Sequence, residues 1–200
     1  MTEIGKGQFD LETAVEPFDD GRFAVDVSDQ WNIGDNPNGG YLTAIALQAL
    51  RKLGPHGDPI SVTTHYLRPG SGGQPGVVTT ELVRSGRSVT TGRATLIQNG
   101  RPRIEVLAAM GDLSGQSGHD NEITIAQPVE MPPPEACVER DGLEQGVKLF
   151  IASRVDLRIH PDTSMAGRST EAETLAWICL LYTSDAADEG LGVDLGGRRI

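Results

Sequence analysis

The segment Tyr41 to Leu53 constrains this chain more than any other, because it reads as a helix with no polar side to offer water. Its residues are mostly Ala, Leu and Ile. Asn36-Pro37-Asn38-Gly39-Gly40 ahead of it supplies turn and helix-start chemistry, and Gly54-Pro55 stops it. Its only charges, Arg51 and Lys52, lie in the last turn, where the helix dipole favours cations. Tyr41, Leu42, Ile45, Leu47, Leu50 and Leu53 leave no broad polar face, and such a helix must be buried. It is too short to span a bilayer, so the chain itself has to wrap it.

The wrapping material surrounds it. Gly21 to Val27 alternates, with Phe23, Val25 and Val27 on one face, and reads as a half-buried strand. After the helix, Pro59 to Leu67, Gly76 to Arg84, Ser88 to Gln98 and Arg101 to Met110 read as four more strands. Asn99-Gly100 between the last two is a strong hairpin signal. Arg84-Ser85-Gly86-Arg87 is a second tight turn. Short links imply antiparallel neighbours. The fold class is therefore α+β, an antiparallel sheet curled around one helix. A cystatin-like cone meets the same description. The strand placed before the helix argues for a different member of that class.

Composition narrows what such a fold serves. Aromatic residues make up only 4% of the chain, so aliphatic side chains must fill the core. The net charge of −11 argues against a nucleic-acid or anionic-membrane surface, which needs clustered Lys and Arg. An anionic ligand held by a few local arginines remains compatible with it. Cys137 and Cys179 have neither metal-ligand spacing nor an obvious His partner, and read as free thiols. Met1 to Asp10 lacks the basic and apolar pattern of a secretory signal, so cytoplasm is the expected location.

Farther on, 112–146 reads as a linker, with Ser114-Gly115-Gln116-Ser117-Gly118 and Met131-Pro132-Pro133-Pro134 in it. Alternation resumes over Lys148 to Ile159 and a further strand is expected over Glu171 to Ile178. The expected organisation is a first unit over 1–111, this linker, and the start of a second unit over 147–178. With its sheet edges open, Leu149 to Trp177 is expected to pack poorly.

Several ordered motifs resemble one family. Trp31-Asn32-Ile33-Gly34-Asp35-Asn36-Pro37-Asn38-Gly39-Gly40-Tyr41-Leu42 is similar to the loop and helix start of the thioesterase-like, double-hotdog superfamily that includes acyl-CoA thioesterases of the thioesterase II type. His65-Tyr66-Leu67-Arg68-Pro69-Gly70 resembles that family's strand end. Gly86-Arg87-Ser88 and Ile97-Gln98-Asn99-Gly100-Arg101-Pro102 resemble its long hairpin. The resemblance runs from about Phe23 to Met110, with a weaker echo from Phe150 to Trp177.

The resemblance implies a hotdog fold and a role in lipid metabolism: hydrolysis of a fatty acyl-CoA to free acid and CoA. It implies no cofactor beyond the CoA carried by the substrate. It also implies hotdog–hotdog packing, within a chain or in a homo-oligomer, with substrate between units. The polar residues that activate water are implied to lie mainly in the second unit. The second unit is expected to be cut short here, because residues 179–200 do not continue the family pattern and read as a translated sequencing-adapter junction. Asp185 and Asp188 are accordingly not taken as the family's acid.

In the first unit, Gly39-Gly40 opens the buried helix, whose first amides lack internal partners and carry a partial positive charge. Glycine lets a carbonyl approach such donors. The Gly40 amide is therefore the expected donor to a thioester oxyanion. Asn38 either caps the helix or orients a water. Asp35 either serves as a general base or makes a turn with its own backbone. Gly39, Tyr41 and Tyr66 are expected beside the substrate. Arg68, Arg87 and Arg93 are candidates for the CoA phosphates, against the reading of solvated surface arginines. His65, opposite in face to Tyr66, reads as structural. No Gly-x-Ser-x-Gly elbow occurs, which argues against a serine hydrolase.

Two other functions compete. One is a non-catalytic acyl-binding or assembly module. The other is a hotdog enoyl-CoA hydratase, disfavoured because Gly40 stands where that chemistry needs a His five positions after Asp35.

Overall fold

The computed structural model describes residues 7–113, 129–140, 143–144, 146–164 and 173–180. Its main body is a six-stranded antiparallel sheet in the order β1-β2-β6-β7-β8-β5. The strands are β1 (Glu16–Asp19), β2 (Arg22–Val27), β5 (Asp58–Tyr66), β6 (Gln74–Ser85), β7 (Thr90–Gln98) and β8 (Arg101–Gly111). A hairpin of two-residue strands, β3 (Asn32–Ile33) and β4 (Asn36–Pro37), leads into the central helix α2 (Gly39–Arg51).

The helix sits where its sequence requires. Tyr41, Leu42, Ile45, Ala46, Ala49 and Leu50 are buried. They meet Phe23, Val25 and Val27 of β2, Val78 of β6, Ala94 and Leu96 of β7, and Ile104, Val106, Ala108 and Met110 of β8 in one core. Burying one such aliphatic side chain contributes about 1.5–3 kcal/mol. Strict alternation in β2 and β7 turns every second side chain to the helix. The opposite side of α2, with Thr43, Ala44, Leu47 and Gln48, is only half-buried. It looks toward edge strand β5, whose residues are mostly exposed. The helix starts two residues earlier than the apolar pattern suggests, because Asn38 caps it. It ends at Arg51, leaving Leu53 beyond the cap.

Turn chemistry closes the sheet. Asn99 and Gly100 both have positive φ, 52° and 66°, and join β7 to β8 as a tight hairpin. Buried Gln98 holds the far corner. Its amide nitrogen donates to the carbonyls of Ser71 and Gln74 at 2.9 and 3.2 Å, and its oxygen accepts the Ser71 amide at 2.9 Å. His56, also buried, shares a 2.8 Å hydrogen bond with Thr90 and meets the Arg87 carbonyl at 3.2 Å.

Two elements ahead of β2 were not expected. A short helix α1 (Gln8–Glu12) packs Phe9 edge-on to Trp31, with centroids 5.2 Å apart. Strand β1 borders β2, and all four of its residues are exposed, so no alternation announced it.

The second segment differs from expectation in detail. Within the expected linker, β9 (Val138–Glu139) pairs with β10 (Val155–Ile159), which also pairs with β11 (Ala176–Leu180). The expected strand over 148–159 is broken by a 3-10 turn, Phe150–Ser153. The break lets Leu149 bridge to Ile33 and Ile151 pack on the first core. Ile159 is buried, while Trp177 and Ile178 are exposed, so the segment is neither loose throughout nor fully covered. The Ser114–Gly118 stretch and the adapter-like tail from 181 onward lie outside the described residues. Among described residues, no helix is long and apolar enough to cross a membrane, and no cluster of metal-ligating side chains occurs.

Candidate functional site

The leading end of α2 is built by Asn38. Its Oδ1 accepts the Gly40 amide at 2.8 Å and the Tyr41 amide at 3.2 Å. Its own amide donates to the Trp31 carbonyl at 2.9 Å, closing the loop at its base. Asn38 is thus a helix cap. The Gly40 amide, expected to face a thioester carbonyl, is instead spent on that cap. The amide left over at this helix end is that of Gly39, which has no described partner.

Gly39 lines a cavity of about 460 Å³ together with Pro37, Leu42, Tyr66, Arg68 and Gly70. The Tyr66 ring lies over it so closely that an added Cβ would stand 2.7 Å from the ring and 3.0 Å from its hydroxyl. Position 39 therefore accepts a side chain only if the Tyr66 ring moves. Thr43, one turn into the helix, ties Tyr66 down: the two hydroxyls are 3.2 Å apart, and Thr43 donates to Thr64 at the same distance. Thr43 and Thr64 were not foreseen, because hydroxyls one helix turn past Gly39 and two strand positions before Tyr66 carry no local signature.

Tyr41 does not reach this cavity. Its hydroxyl donates to the Glu12 carbonyl at 2.7 Å and accepts the Ser28 amide at 2.9 Å. Burial pushes its pKa up to about 12, so it stays a neutral hydroxyl. Its ring stacks on Trp31, with centroids 5.4 Å apart. Tyr41 is a core residue rather than a substrate contact.

The other expected residues divide. Arg68 lines the cavity. Arg87 lies in the exposed β6–β7 turn, away from it. Arg93 is held on the outer sheet face by Glu81 at 3.0 Å and Glu105 at 3.5 Å, which removes it as a free phosphate ligand. His65 is exposed on that same outer face, paired across from Glu105. Asp35 is exposed at the tip of the β3–β4 hairpin. Among the described residues, no carboxylate and no histidine lines the cavity.

A second, apolar cavity of about 520 Å³ lies between Ile33 and the second segment, lined by Leu149, Ile151, Val155, Leu157 and Ile178, with Arg140 at its wall.

A curled antiparallel sheet holding one buried helix, glycine-led at its open end, defines the hotdog class. Residues 27–113 match the family model of the acyl-CoA thioesterase N-terminal domain. TwmA, a thioesterase-like protein of Talaromyces wortmannii, is 37% identical over 94 residues, 46% of this chain and 27% of that protein. A crystal structure from Thermobifida fusca, assigned as a thioesterase II, is 29% identical with a TM-score of 0.69, covering 80% of this chain and 57% of its own. A protein of unknown function with hot dog fold from Alicyclobacillus acidocaldarius has a TM-score of 0.71 at 24% identity, over 86% of this chain and 62% of its own, a likeness of fold. This chain thus spans less than two thirds of each of these relatives. It has the hotdog fold, and its residues 27–113 are similar to a thioesterase domain.

Proposed function

We propose that this chain serves hydrolysis of a fatty acyl-CoA thioester to the free acid and CoA. In that reaction a water oxygen bonds to the thioester carbon and the carbonyl oxygen becomes an oxyanion. The C–S bond then breaks and the thiolate leaves to take up a proton. The observation that carries the reading is the Gly39 amide, unpartnered at the positive end of a buried helix and opening on a cavity. A donor aimed at a developing oxyanion is worth about 10²–10³ in rate. The likeness to an acyl-CoA thioesterase domain supports acyl-CoA as the substrate in this reading.

The cavity wall offers polarisation and anchoring but no group able to take a proton from water. In this reading the water-activating acid comes from a second hotdog unit, in the same chain or in a packed copy. The two unbridged cysteines, Cys137 and Cys179, suit a reducing compartment, and we place the reaction in the cytoplasm.

Release of free thiol from a series of acyl-CoA chain lengths tests the reading. Turnover that falls about tenfold when Gly39→Ala displaces the Tyr66 ring, with chain-length preference kept, is the expected result. Absence of thiol release from every acyl-CoA would sink it. The bare cavity wall favours one second reading, a non-catalytic acyl-binding module. That reading requires saturable acyl-CoA binding with no thiol released.

A further inference from the structure

The 3-10 turn Phe150–Ser153, which interrupts the strand expected over 148–159, reaches the first unit from both of its ends. Before it, the Lys148 carbonyl accepts the Gly34 amide, beside the bridge of Leu149 to Ile33. After it, the Arg154 guanidinium is forked onto the Glu12 carboxylate. Among the described residues this ion pair is the most enclosed. Its side chains are 21 and 14% exposed, against 47 and 62% for Arg93 and Glu81. The attraction within an enclosed pair goes largely to offset its desolvation, whereas removing one partner strands the other.

The pair closes a ring of contacts that contains Gly39. The Glu12 carboxylate also accepts the Trp31 indole N–H. The Trp31 carbonyl accepts the Asn38 amide, and the Asn38 side chain caps the helix. The Tyr41 ring stacks on Trp31, and its hydroxyl returns to the Glu12 carbonyl. Trp31 and Tyr41 are 3 and 2% exposed, so in this packing neither moves without the other. Gly39 stands between Asn38 and Tyr41, within the ring. Without Arg154, the Glu12 carboxylate keeps only the neutral donors Gln8 and Trp31. A charge left so enclosed turns toward water, and Trp31 loses the acceptor that sets its ring. The Asn38 amide hangs from the Trp31 carbonyl and moves with it.

We propose that Arg154 is a positioning residue for the Gly39 end of α2. Through Glu12 and Trp31 it sets where the Gly39 amide stands at the cavity, so the second segment holds the first unit's site in place. The effect on turnover rests on the thioester reading; the effect on the helix end does not.

Amide NMR spectra of the folded chain test the coupling without any turnover. Arg154→Ala should shift the Asn38, Gly39, Gly40 and Tyr41 resonances. Solvent exchange of the Asn38 amide should quicken about tenfold, the size expected for a charged hydrogen bond that keeps some solvent contact. Arg154→Lys, which keeps the charge and loses the fork, should do less of both. Glu12→Gln added to Arg154→Ala leaves Trp31 an acceptor and removes the stranded charge. The double variant should therefore return toward the unaltered spectrum, and it serves as the folded form should the single variant not fold. Arg158→Ala removes a cation from the same segment, one paired to Asp156 and Glu139, and should leave all four resonances in place. With acyl-CoA, Arg154→Ala should lower kcat about tenfold with KM little changed, because an oxyanion donor acts in the transition state. Arg154→Lys should recover part of that loss.

Unmoved resonances in Arg154→Ala, or equal shifts in Arg158→Ala, would overturn the coupling. Moved resonances with an unchanged kcat would remove Arg154 from the reaction. Moved resonances in a protein that releases no thiol leave the positioning standing and hydrolysis fallen. Unmoved resonances in an active enzyme give the reverse.

Discussion

Glu12 and Arg154, 142 residues apart in the chain, are joined by two hydrogen bonds of 3.1 and 2.7 Å. The same Glu12 carboxylate accepts the Trp31 indole N–H at 2.7 Å, and the Glu12 carbonyl accepts the Tyr41 hydroxyl. One acidic residue therefore fastens the second segment to the aromatic stack beneath the helix-opening loop.

That carboxylate makes stability depend on pH. Burial pushes the Glu12 pKa up, but hydrogen bonds from Arg154, Gln8 and Trp31 outweigh it and the net shift is downward. Glu12 thus binds protons less readily folded than unfolded. Its contribution is present above the ordinary carboxylate range and is lost as pH falls through its depressed folded value. Arg154→Ala should cost about 2 kcal/mol near neutrality, below the range for fully buried pairs because both side chains keep some solvent contact. Urea midpoints of both proteins across pH should converge in acid. A constant gap would show that the carboxylate is not responsible.

Asn38→Ala removes the acceptor for two helix amides. The expected loss is about 1 kcal/mol, or a Tm lower by about 2–4 °C. Asn38→Asp should retain most of it. Thermal melts of the three proteins decide, and an unchanged Ala variant would mean that the cap is energetically idle.

Gly39→Ala places a methyl group inside the Tyr66 ring. The ring sits on an exposed strand end and can swing away, so Tm should change little. Displacing it from Thr43 and the cavity should lower kcat/KM about tenfold. Tyr66→Ala should lower it comparably, and the double variant should be no worse than the worse single one. Full additivity would place the two effects in different mechanisms.

Gln98→Leu leaves the Ser71 amide and the Ser71 and Gln74 carbonyls without their buried partner. A cost of about 3 kcal/mol follows from several unsatisfied groups at once. Chemical denaturation measures it, and a loss under about 1 kcal/mol would show that water replaces the side chain.

The fold was largely legible because its determinants are local and periodic. The apolar run of Tyr41–Leu50, the alternation of Phe23, Val25 and Val27, and the Asn99-Gly100 turn each point to the element observed. What stayed hidden depends on distant partners. Nothing around Glu12 announces Arg154, and nothing in Glu16–Asp19 alternates enough to mark an edge strand. The site was half legible. The glycine pair marks the helix end that borders the cavity, but which amide remains open depends on how Asn38 turns its side chain, a matter of one residue. Arg93 resembles any surface arginine until register sets it between Glu81 and Glu105.

The Gly34 amide donates to the Lys148 carbonyl at 2.7 Å, next to the bridge between Ile33 and Leu149. On a ribosome, the six-stranded body is complete in sequence by Gly111, well before those later residues emerge. The nascent chain can therefore close its barrel-like core early while the stretch before Gly39 still waits for its last stitch. The doorway to the helix is the final part of the unit to set, and a released chain ending between positions 111 and 148 would carry a finished interior behind an unfinished entrance.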